Sequence, residues 1–83
     1  MEPHIRAAIC AEVVRLLRAE RIARDISMNE LARRTGLRQP TISILESSPP
    51  NPKLDSLIRI ADALGVDLGA VISKAVKNMT RRS

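Results

Sequence analysis

The chain has no phenylalanine, tyrosine or tryptophan in its 83 residues. Its interior must therefore be aliphatic, and the aromatic platforms on which proteins stack single-stranded bases are missing. Cysteine is nearly absent as well. The lone Cys10 excludes an internal disulfide framework and a Cys-rich zinc site, and it reads as a small buried apolar group in a reducing compartment. The one histidine, His4, has no second histidine or cysteine at ligand spacing, so no metal site is expected. No apolar run approaches the ~18 residues that span a bilayer, and the start Met1-Glu2-Pro3-His4-Ile5-Arg6 lacks the long apolar core of a secretory signal. A cytoplasmic protein with no membrane partner is expected.

Catalytic constellations are missing too. There is no Gly-rich phosphate loop after a strand, no Ser/His/Asp set and no pair of placed carboxylates; Asp55, Asp62 and Asp67 read as capping or solvated-face residues. The expectation is a protein that is not an enzyme, with no cofactor and no small-molecule ligand.

What is present is an aliphatic, basic chain. Hydrophobic residues make up 45% of it, and fourteen Lys and Arg against nine Asp and Glu leave a net charge of +5. That balance favours a polyanionic partner through counterion release. A chain of this length forms one domain that buries roughly 60 to 65% of its unfolded surface, so self-association would help it.

Apolar residues recur at helical spacing in five segments. Ile5, Ile9, Val13, Leu16 and Leu17 predict a long first helix over about 3–24, with Arg15 and Arg18 on the far side. Ser27 followed by Glu30 reads as a capping box, with Ile26 and Leu31 as its staple; a second helix then runs from about Met28 to Thr35, where Gly36 turns the chain. The third spans about Gln39 to Ser47, with Pro40 tolerated in its first turn. Leu37, Ile42 and Leu45 face inward by spacing, which leaves Gln39, Pro40, Ser43 and Ile44 outward.

The turn formers of Ser47-Ser48-Pro49-Pro50-Asn51-Pro52 read as a tight connector. Asn51 as N-cap and Pro52 at the first helical position predict a fourth helix with an inward stripe of Leu54, Leu57, Ile58, Ala61 and Leu64, ending at Gly65. Asp67 caps a fifth helix over about 68–79, with a stripe of Leu68, Val71, Ile72, Ala75, Val76 and Met79. The fold class is all-α: a compact five-helix single domain over 1–83, with a helix-turn-helix in helices 2 and 3 at about 27–47.

Leu31-Ala32, Gly36, Thr41-Ile42-Ser43, Glu46, Asn51-Pro52 and Ile60-Ala61-Asp62-Ala63-Leu64-Gly65-Val66 together resemble the phage repressor and Cro-like (Xre-type) DNA-binding domains, from about Val13 to Ile72. The resemblance implies a lambda-repressor-like fold and a sequence-specific regulator of transcription, a repressor that binds a palindromic operator in double-stranded DNA as a homodimer. It pairs Arg21 with Glu46 across the fold. It places base contacts on Gln39, Pro40, Ser43 and Ile44, of which Gln39 suits adenine, whereas Pro40 and Ile44 neither donate nor accept. Phosphate contacts fall on Met28, Asn29, Arg33, Arg34, Arg38, Thr41, Ser43, Ser48, Asn51 and Lys53. The chain departs from the family in Met28, often Gln there, and in Ser48-Pro49-Pro50 where a basic loop is common.

Each reading has a plainer one beside it. Arg33, Arg34 and Arg38 also fit an ordinary solvated helix face. Ile44 needs a cover, either thymine methyls or a protein. The alternative function is therefore a protein-interaction module of the same fold, an antitoxin or the target of a protein antagonist. Residues 3–12 extend the first helix beyond the family's usual start. By default that extension packs on the fifth helix; the preferred reading gives Leu68, Val71, Ile72 and Ala75 to a two-fold interface, since two recognition helices must lie about 34 Å apart to read successive half-sites.

Overall fold

The structure is a computed structural model and describes residues 1–47 and 51–81. Among these there are five helices and no strand: α1 (Pro3–Ala23), α2 (Met28–Thr35), α3 (Gln39–Ser47), α4 (Leu54–Leu64) and α5 (Leu68–Thr80). The core is aliphatic as composition requires, with Val13, Val14 and Leu17 of α1 meeting Leu31, Ile42, Leu57, Ile60, Leu64 and Ala75.

Helix ends follow local chemistry. The Ser27 hydroxyl accepts the Glu30 backbone N–H at 3.0 Å, and an Asp67 carboxylate oxygen accepts that of Ala70 at 3.2 Å. Only half of the expected capping box forms, because the Glu30 carboxylate turns to Arg33 and Arg34 instead of its own cap. α1 ends without a glycine. Asp25 takes the left-handed conformation, φ 57°, while the Asp25 N–H reaches the Ile22 carbonyl and the Ile26 N–H reaches that of Arg21. Gly65 closes α4 in the same manner at φ 72°, with Val66 reaching Ala61.

Two expectations about α4 are corrected. The helix begins at Leu54, with Lys53 extended before it and no side chain capping it, so Asn51 and Pro52 lie outside the helix. Its inward face carries Leu57, Ile60, Ala61 and Leu64, while Leu54 and Ile58 are 60% and 51% exposed. Aliphatic residues nearly encircle this helix, so spacing alone admits more than one face; packing against α1, α2 and α5 together selects the arc centred on Ile60.

The most extensive contact in the fold is α1 against α5. The N-terminal extension thus lies on the α5 stripe within one subunit. A polar tie reinforces it: the buried Glu12 carboxylate accepts two hydrogen bonds from Arg15, both 2.7 Å, and one from the Asn78 amide at 2.8 Å. Ala75 is completely buried beneath this contact and has no surface to offer a second copy; Leu68, Val71 and Ile72 remain half-buried.

α1 and α3 are joined by Arg21 and Glu46, the pair implied by family resemblance. Arg21 Nε and Nη2 donate to the two Glu46 oxygens at 2.8 and 2.9 Å, and Nη1 donates to the Ile26 carbonyl at 2.7 Å. Their side chains are only 8% and 6% exposed. Glu46→Ala is expected to destabilise the fold by about 3 to 5 kcal/mol, since it strands a buried guanidinium, whereas Arg21→Met with Glu46→Leu costs less than the sum of the single changes. Urea denaturation followed by far-ultraviolet circular dichroism measures both; strictly additive losses would refute the coupling.

Candidate nucleic-acid interface

The turn between α2 and α3 is fixed from three sides. Gly36 adopts φ 76° and donates its N–H to the Ala32 carbonyl at 3.0 Å. The Thr35 hydroxyl donates to the Leu31 carbonyl at 2.8 Å and accepts the Leu37 N–H at 3.2 Å. From α4, Arg59 Nη1 reaches the Thr35 carbonyl at 3.3 Å. A turn bonded in this way sets the direction of α3, whose inward residue Ile42 is 0% exposed.

The opposite side of α3 presents Gln39, Pro40, Ser43 and Ile44. Pro40 and Ile44 are exposed, Gln39 and Ser43 half-buried. The Gln39 amide nitrogen lies 3.7 Å from the Met28 sulfur, so the Met28 side chain is engaged with the reader helix.

The residues expected to contact phosphates are distributed around this row. Asn29, Arg38, Thr41, Asn51 and Lys53 are exposed, and Arg38 and Lys53 make no ion pair among the described residues. Thr41, Asn51 and Lys53 line, with Ile44, a cleft of about 570 Å³ between α3 and the start of α4. Arg33 and Arg34 are not free: both bond Glu30, Arg33 Nε at 3.1 Å and Arg34 Nε at 2.7 Å. Ser48 lies outside the described residues.

The family model for the helix-turn-helix (HTH_3) matches residues 17–71, from the middle of α1 into α5. The chain belongs to the helix-turn-helix family. Two relatives, both named Antitoxin HigA1, from Mycobacterium tuberculosis strains CDC 1551 / Oshkosh and ATCC 25618 / H37Rv, are each 46% identical over 48 residues, covering 58% of this chain and 32% of theirs. The match thus spans about a third of the length of these curated relatives. No solved structure matches.

This helix-turn-helix protein also places cations that the periodicity did not point to. Arg15 and Arg18, on the side of α1 away from its apolar stripe, line a second cleft with Met28, Ser43 and Ser47 of the reader helix and its neighbour. Arg18 Nε lies 3.4 Å from Glu46. Arg59 stands on the α4 side. Cations therefore flank α3 on both sides, an arrangement that depends on how α1 and α4 cross it. No local pattern in the sequence carries that information.

Glu30 governs the charge beside the turn. Hydrogen bonds from Arg34 and then Arg33 hold its carboxyl below the usual carboxylate range. Its pairing is complete above the ordinary glutamate value of about 4.3 and is lost as pH falls through the depressed one. A carboxyl-detected NMR titration should place the Glu30 midpoint below that ordinary value. Glu30→Gln should spare the DNA that competition for Arg33 and Arg34 and strengthen binding to all duplexes alike, most at low salt; an unchanged affinity would remove Arg33 and Arg34 from the interface.

Proposed function

We propose that this chain is a sequence-specific regulator of transcription that works in the cytoplasm, a repressor that binds a palindromic operator in double-stranded DNA as a homodimer. The observation that carries the reading is the outward row on α3, Gln39, Pro40, Ser43 and Ile44. It is anchored from behind by buried Ile42 and flanked by exposed cations. An α-helix of this kind fits the major groove, and a glutamine amide can bond adenine N6 and N7 together.

In this reading the two sides of α3 do different work. Arg38, Thr41, Asn51 and Lys53, with the first-turn backbone of α2 at Met28 and Asn29, hold the phosphates and fix register; Arg33 and Arg34 join them as the DNA competes with Glu30. Arg15 and Arg18 extend that grip along the opposite flank. Two subunits supply two reader helices, and the half-buried Leu68, Val71 and Ile72 of α5 are the remaining apolar surface for the two-fold contact. Ala75 is not part of it.

The name of the mycobacterial relatives supports a second reading, that the chain is an antitoxin and meets a protein partner. Salt separates the two interactions. DNA binding weakens linearly in log K against log salt, whereas an apolar protein contact scarcely responds.

Gln39→Ala should cost about 1 to 3 kcal/mol on a site selected from random duplexes and relax specificity at one base pair. Equal loss on scrambled DNA would refute a base-reading role. Lys53→Ala should weaken all duplexes alike and lower the salt slope by about one; a loss confined to the selected site would overturn its phosphate assignment. Sedimentation equilibrium should give a dimer, and Val71→Glu a monomer whose helix content is kept. A dimer that persists moves the two-fold contact off α5.

A further inference from the structure

α1 and α3 leave a groove of about 470 Å³ between them. Its apolar lining comes from Ala11 and Val14 of α1, Met28 of α2 and Leu45 of α3, and Arg15 and Arg18 stand along the same stretch of α1. Ile22 follows Arg18 by one turn on the same face of α1 and is 51% exposed, so an aliphatic side chain lies just past the end of the groove. The charge here is positive. Arg18 Nε lies 3.4 Å from Glu46, but both Glu46 oxygens already accept hydrogen bonds from Arg21. Two guanidiniums therefore share one carboxylate, and the half-exposed Arg18 keeps charge to offer a further anion.

Such a surface asks for an occupant that is apolar along its centre and acidic at its edge. A nucleic-acid phosphate would meet Arg18 but leave Ala11, Val14 and Leu45 uncovered and bring negative charge beside Glu46. A polypeptide satisfies both demands. The walls are helices whose backbone groups are bonded internally, so an extended segment would find no ladder partners, whereas a helix arrives with its own backbone satisfied. From Ala11 to Arg18 the lined stretch of α1 rises about 10 Å, two helical turns. We propose that the α1–α3 groove is a docking site for an acidic amphipathic helix of a protein partner, with aliphatic anchors at i and i+4 on the apolar lining and a carboxylate on Arg18. Ser43 belongs to the lining and Met28 bonds Gln39, so a helix seated there covers part of the outward row of α3 and displaces DNA. The inference rests on the second reading above, that the chain meets a protein partner, and adds to it the surface and the chemistry of the contact.

The experiment pans the full chain against a phage-displayed library of helical peptides, and the most enriched clones are synthesised. Their sequences should set aliphatic residues at i and i+4 beside Asp or Glu and exclude Lys and Arg. With isotope-labelled chain, such a peptide should shift the backbone amide NMR signals of Ala11, Val14, Arg18 and Leu45, and in fluorescence anisotropy it should displace a labelled duplex. Arg18→Gln, at an exposed helical position that tolerates the change, should weaken the peptide about two- to five-fold. Arg18→Glu should bind it least of the three and gain affinity for the same peptide with Lys in place of Glu.

Clones that shift only residues of the α3–α4 cleft, or that bind Arg18→Gln as tightly as the wild type, would overturn this groove and leave the partner reading to another surface. Simultaneous binding of peptide and duplex would overturn the displacement. A duplex that shifts the Ala11, Val14 and Leu45 amides while no clone does would give the groove to DNA. Failure to enrich any helical peptide would strike down the partner reading and this inference with it.

Discussion

A guanidinium and a carboxylate, both withdrawn from water, hold this fold in one arrangement. Burying two charges costs several kcal/mol each, and their attraction offsets that cost only when geometry and hydrogen bonding are nearly complete. Arg21 meets the condition with all three guanidinium nitrogens: two on Glu46 and one on the Ile26 carbonyl. The pair thereby ties the end of α1, the loop into α2 and the end of α3. A slip of α3 by one residue would carry Glu46 off the guanidinium and leave both charges stranded, so the pair penalises wrong registers more than it stabilises the right one.

That constraint is what gives the outward row of α3 a direction. Ile42 anchors the helix from behind, the Thr35–Gly36 turn sets its start, and Arg59 of α4 clamps the turn from outside. The side chains of that row lie outside the buried core. Pro40 and Ile44 stand in solvent and Gln39 and Ser43 are half-buried, while the buried contacts of α3 run through Ile42. Charge near the turn is held locally as well: Glu30 accepts hydrogen bonds from both Arg33 and Arg34.

The helix-turn-helix match stops at residue 71, and the parts beyond it at either end find each other. The N-terminal half of α1 and the remainder of α5 pack together, with Glu12 bonding Arg15 and Asn78 across the contact. A small aliphatic domain without aromatic side chains has a limited core, and this added helix pair enlarges it. The surface that sequence periodicity offers to a second subunit is therefore partly consumed inside the first, Ala75 entirely so.

Elements with strong local chemistry were legible in the sequence. Ser27, Gly36, Gly65 and Asp67 act on backbone groups within a few residues, so the caps of α2, α4 and α5 and the existence of all five helices followed from the chain, and the motif residues of α2 and α3 brought the family with them. The left-handed turn at Asp25, the later start of α4, the exposure of Leu54 and Ile58, the diversion of Glu30 from its cap and the cations of α1 beside α3 were not. Each depends on which helices cross and at what height, a matter of packing volume and charge partners far apart in the chain. What the sequence alone determined is where the backbone can be helical and which residue types stand ready to read; the tertiary structure decided which face of each helix sees water, because burial is a property of neighbours that no local pattern contains.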